Sequence, residues 1–111
     1  MPHGFPESDW KIFRQIRGLA LERFCKRVLA ELDALVRDES RSHHDRYLDV
    51  FRFLRDRDDE LAHAFNDPRR SRMIVQLSAI HAYDLLEPDE LARFTADTRS
   101  TIESLAKEFK R

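Results

Sequence analysis

Glycine is almost missing from this chain. Only Gly4 and Gly18 occur among 111 residues, so no glycine-rich loop is present to cradle a phosphate. Cysteine is equally scarce. Cys25 stands alone, which rules out an internal disulfide. The formal net charge is −1, removing any global argument for nucleic acid or an acidic membrane. It also does nothing to discourage self-association. No apolar run approaches the roughly 20 residues of a spanning helix. The opening MPHGFPESDW has neither the basic nor the apolar region of a signal peptide, so the expected location is the cytoplasm, with no membrane partner.

What remains is apolar and charged in nearly equal measure. Apolar residues make up 41% and charged ones 37%, too apolar for disorder. The length suits one domain, 1–111, whose core needs no metal or disulfide. No cofactor is implied. The apolar residues recur in steps of three and four. Trp10, Phe13, Leu21, Phe24, Val28, Leu32 and Leu35 do so across Asp9–Asp38. Tyr47, Val50, Phe51, Leu54, Leu61 and Phe65 do so across His43–Asn66. Each set lies on one helical face. The fold class expected is all-α. Two long antiparallel helices lead to a central apolar helix, a short helix and a C-terminal helix.

Boundaries follow from local chemistry. Residues 1–7 read as an irregular lead-in, and Ser8 or Asp9 suits the first cap. Gly18 marks either a bend, a close helix contact or a tolerated weakness costing about 1 kcal/mol. Ser42 and Asp45 approximate a capping box. Arg52–Asp56 and Arg55–Asp59 are pairs four apart on the second helix. Asp67 and Pro68 suit the cap and first position of helix three. That helix has two stripes, Met73, Ile74, Leu77, Ile80 and Val75, Ala79, Ala82, Leu86, which places it centrally. Pro88–Phe94 reads as a short helix capped near Glu87. Ala96–Lys110 reads as the last, capped by Thr95, with Ile102, Leu105, Ala106 and Phe109 inward and Lys107, Lys110 and Arg111 near its C-terminus.

ALERFCKRVL (Ala20–Leu29) and FNDPRRS (Phe65–Ser71) resemble segments of small all-helical bacterial proteins with no assigned activity. Neither segment is a specific motif, and the resemblance implies no residue roles.

Several polar residues interrupt the apolar stripes. Arg14 and Arg17 do so on helix one, Asp58 on helix two, and Arg70, His81 and Asp84 on helix three. A charge in a core needs a partner. Arg17, Asp58, His81 and Asp84 therefore form either a polar pocket for acid–base work or a small ligand, or a structural ion-pair network. Arg69, Arg70 and Arg72 crowd the expected start of helix three, where cations oppose the helix dipole. They form an anion or nucleic-acid candidate, or pair with Asp56, Asp58, Asp59 and Glu60. Ile12, Ile16 and Leu19, with Trp10 and Phe5 nearby, form a second apolar patch. It either packs on the C-terminal helix or makes an interface, to a protein partner or in a homodimer.

Metal chemistry finds weak footing. Glu60 and His63 form a lone E-x-x-H whose side chains point away from the expected core, whereas di-iron ligands project inward. His43 and His44 diverge by about 100° on a helix, so one at most joins a given site. Cys25 has no histidine near in sequence and reads as a packed apolar residue rather than a nucleophile. The leading expectation is a non-enzymatic, self-associating interaction module. Anion or nucleic-acid binding through the arginines is the alternative, and a small enzyme or sensor with a buried His/Asp/Arg site is the third.

Overall fold

Two long helices set the geometry. The computed structural model describes residues 5–109. Helix α1 spans Glu7–Val36 and α2 spans His43–Phe65. At 1.5 Å per residue α1 is about 45 Å long. The connection between them turns on Asp38, whose carboxylate accepts from Ser40 N–H at 3.1 Å and Ser40 Oγ at 2.5 Å. Ser42 then caps α2, accepting from Asp45 N–H at 3.0 Å.

The remaining helices are short: α3 is Met73–Ala82, α4 is Pro88–Leu91 and α5 is Ala96–Ala106. Single 3-10 turns, Arg70–Arg72 and Lys107–Phe109, precede α3 and follow α5. All regular structure among the described residues is helical, as the sequence spacing predicts. Helix α3 is central, packing on α1, α2 and α5.

The core sits at one end of the molecule. Helix α1 contributes Phe13, Ile16, Ala20 and Phe24, and α2 contributes only Ala64 and Phe65. Met73, Leu77, Ala79, Ile80, Tyr83, Leu85, Leu86, Phe94 and Ile102 complete it. No residue from 25 to 63 is buried. The cause is length: α3 covers about 15 Å of the two long helices, and the rest projects as a bare two-helix arm. The molecule measures 55 × 23 × 22 Å, with a radius of gyration of 16.5 Å. A compact chain of this size would have about 13 Å.

Several local expectations are corrected. Neither Ser8 nor Asp9 caps α1; Pro6 occupies the cap, and the Asp9 carboxylate reaches across the fold instead. Only Phe5 and Pro6 of the expected lead-in are described and irregular, since Glu7 is already helical. Pro68 does not open α3. Asp67 adopts a left-handed φ of 52° and pairs with Arg69 and Arg72, so the chain enters α3 through a 3-10 turn at Met73. Val75 on the second stripe is 47% exposed. Helix α4 ends at Leu91 and α5 at Ala106, while Lys110 and Arg111 lie outside the described residues. Gly18 causes neither a bend nor a close contact. α1 runs through it unbroken, and a methyl group there would meet nothing within 4 Å.

Candidate functional site

The expected polar pocket does not assemble. Arg17 is half-buried, but it donates to the Phe65 carbonyl and stacks over the Phe65 ring at 6.0 Å. It closes the C-terminal end of α2, where carbonyls lack helical partners. Asp58 is exposed on the arm, and His81 is half-buried on α3. Asp84 is exposed with φ of 61°. It is the left-handed residue that ends α3: Leu85 N–H reaches Ile80 O at 3.1 Å and Asp84 N–H reaches His81 O at 3.0 Å. This is the Schellman arrangement, with buried Leu85 as its hydrophobic contact. Asp84 therefore leaves the α3 stripe, which ends one turn earlier than a continuous helix implies.

The arginine cluster is paired locally. Arg69 meets Asp67 at 2.7 Å, Arg72 meets Asp67 at 3.5 Å and Arg70 meets Glu7 at 2.5 Å. Arg70 also lies over the Trp10 ring at 5.6 Å, tying this turn to the start of α1. The hydrogen bond from Arg69 is the main cause holding the Asp67 carboxyl below the usual carboxylate range. Asp67 and Glu7, rather than the acidic end of α2, are the partners.

The Trp10–Leu19 patch divides. Ile16 is 1% exposed and belongs to the core. Trp10 and Ile12 are half-buried against it, and Trp10 stacks on Phe13 at 5.5 Å. Leu19 alone of the four is largely exposed. The patch packs inward because α3 lies on α1 and Asp9 ties the start of α1 to Thr95 and Thr98 at the start of α5.

Two polar clusters are stronger than those read from the sequence. Asp9 is fully buried and accepts from Thr95 N–H at 3.0 Å, Thr95 Oγ1 at 2.8 Å and Thr98 Oγ1 at 2.6 Å. It thereby caps α5 from a distance, putting a carboxylate at a helix N-terminus. Arg23 grips Glu90 with two bonds of 2.6 and 2.9 Å and donates to Leu85 O. Arg27 donates to Tyr83 O and Asp84 O. The Glu90 carboxyl is held below its ordinary range, first by the Arg23 hydrogen bond, against the opposing effect of burial. These groups are fully engaged with each other and with backbone, so their chemistry is structural. The pairings had no local sequence signal, because Arg23 and Glu90 lie 67 residues apart and Asp9 lies 86 and 89 from its threonines.

Most of the exposed large apolar side chains are on the arm. Leu29, Val36, Tyr47, Phe51 and Leu54 are 63%, 51%, 68%, 56% and 42% exposed. The sequence placed Tyr47, Phe51 and Leu54 on a core face; the short later helices do not reach that far. Leu29 and Leu54 line one groove of about 300 Å³ with Cys25, Val28, Asp58 and Leu61. Nearer the tip, Val36 and Tyr47 line a second with His43, Arg46 and Val50. Leu29 follows Arg27 by two residues, about 200° around α1. Since Arg27 reaches the end of α3, Leu29 and its groove face away from the rest of the fold.

Metal chemistry gains no geometry. Glu60 pairs with Arg57 at 2.9 Å, and His63 Nδ1 lies 2.8 Å from its own helix at Asp59 O. No three metal-ligating side chains cluster among the described residues. No helix among the described residues is long and apolar enough to cross a membrane. Comparison with protein-family models, curated proteins and solved structures finds no match for this chain.

Proposed function

We propose that this chain is a non-enzymatic helical interaction module that binds protein through the apolar face of its arm. One observation carries the reading. Five large apolar side chains, 42–68% exposed, share a face that no other element among the described residues covers. Monomers seldom leave such a contiguous patch bare unless it is used. A helical partner suits it, because grooves between paired helices accept the ridges of another. The free Cys25 thiol suits a reducing compartment such as the cytoplasm. Anion or nucleic-acid binding is less well supported, since Arg69, Arg70 and Arg72 each have a carboxylate neighbour. An enzyme reading has no assembled site behind it.

Affinity capture from the native host, with wild type and Leu29→Glu/Phe51→Glu as baits, tests the reading. Both positions are exposed, so the double variant keeps its fold. Proteins held by the arm face, including further copies of the chain, should fall by about tenfold or more with the variant. An unchanged profile would remove the arm as the binding surface.

A further inference from the structure

We infer that the arm's occupant is a second copy of this chain, laid antiparallel so that each tip meets the other arm's base. The inference rests on the arm being the binding face and names what sits on it.

The spacing is the first support. Cys25, Leu29, Leu32 and Val36 follow steps of four and three along α1, and Tyr47, Phe51, Leu54 and Asp58 do so along α2. This is the spacing of knobs-into-holes packing, which two hairpins satisfy together as a four-helix bundle. The face also points away from the rest of the fold, so a second arm reaches it unobstructed. Its area is sufficient. Tyr47 and Phe51 together expose about 250 Å². With Leu29, Val36 and Leu54 the face offers roughly 400 Å² per copy, and two copies with their polar rim reach the ~1,000 Å² of a specific interface.

Charge sets the direction. Asp58 interrupts the stripe at the arm's base, exposed and with no hydrogen bond or ion pair among the described residues. Arg46 at the tip bonds to Val36 O and to the His43 ring, and to no carboxylate. The grooves place Leu29 level with Leu54 and Val36 level with Tyr47. A two-fold axis across the middle of the arm then packs α1 on α1 and α2 on α2. Asp58 meets Tyr47 of the second copy, within a turn of its Arg46 and His43. Phe51 meets Leu54, and Cys25 meets Val36. A parallel pairing instead brings two Arg46–His43 tips together and leaves like charges adjacent.

Disulfide trapping reads the direction. Val36→Cys changes an exposed position conservatively and keeps Cys25. Under mild oxidation it should give mostly covalent dimers, whereas Cys25→Ser/Val36→Cys should give few. Wild type should resist trapping, because the two Cys25 residues of an antiparallel pair lie roughly 16 Å apart along the arm. Light scattering at about 100 µM should show a dimer for wild type and a monomer for Leu29→Glu/Phe51→Glu. If Leu29→Cys/Leu54→Cys in a Cys25→Ser background traps dimers while Val36→Cys does not, the direction is overturned and the arm remains the binding face. A wild-type monomer overturns the second copy as occupant, and the capture experiment then judges the arm independently. A dimer that survives Leu29→Glu/Phe51→Glu overturns both.

Discussion

Glu90 shows how a single side chain ties sequence-distant elements together. Its carboxylate accepts from Arg23 on α1 and from the Glu87 N–H that opens α4. Arg23 is one-third exposed, which weakens the electrostatic part through solvent screening. The folded-state pKa of Glu90 is depressed, chiefly by the Arg23 hydrogen bond. Its contribution is therefore present above the unfolded-state pKa and is lost as pH falls through the folded one. Glu90→Gln should cost about 1–2 kcal/mol at neutral pH, the worth of a charged hydrogen bond. That gap should close as pH falls below about 4. Urea denaturation of both proteins across this range measures it, and a gap independent of pH would show that charge is not its source. Asp9 also ties distant elements together, since its buried carboxylate at the start of α1 joins α5 to the fold through Thr95 and Thr98. In the sequence Asp9 read only as a cap candidate, and Arg23 and Glu90 did not stand out at all. Their partners were not legible, because a helical wheel orders one element and says nothing of what faces it.

Among the elements, periodicity was the readable signal and helix ends were the weak one. The stripes of α1 and α2 and the two-sided apolar character of α3 placed five helices, with α3 central. Asp67 and Asp84 defeated the boundaries because left-handed backbone at aspartate is uncommon and carries no pattern. Periodicity also could not say how far along a stripe the core extends. Phe24 and Phe51 read alike in sequence, yet Phe24 is 2% exposed and Phe51 56%, because only the first lies within reach of α3. The same ambiguity affected Ile16 and Leu19, three residues apart on α1. Ile16→Glu buries a charge among Phe13, Phe24 and their neighbours and should destabilise by more than about 4 kcal/mol, enough to unfold a marginal domain. Leu19→Glu, at a position 52% exposed, should stay within about 0.5 kcal/mol. Thermal denaturation followed by circular dichroism distinguishes them. Equal effects would mean that both residues share one environment.

At the scale of the whole molecule, stability is unevenly distributed. Among the described residues the globular end holds every buried side chain, including Phe13, Phe65, Leu77 and Ile102, while the arm holds α1 to α2 by one half-covered seam of residues such as Val28, Leu32 and Val50. Its ion pairs, Arg37–Asp33, Arg41–Asp49 and Arg57–Glu31, are partly or largely exposed and contribute little each. Local opening should therefore begin at the tip and proceed toward Phe24. In dilute protein, native-state hydrogen exchange should give amides around Val36 and Tyr47 opening free energies well below those around Leu77. Pairing of arms raises the opening free energy of both groups, since local opening of the arm and global unfolding each break the pair, and a ligand that binds the closed form adds protection in proportion to the logarithm of its concentration. Raising the protein concentration 100-fold should then slow exchange at Val36 and Tyr47, and also at Leu77, which exchanges through global unfolding. Arm amides that stay concentration-independent, in a protein that remains folded, would mean the exposed stripe is not covered by a second copy.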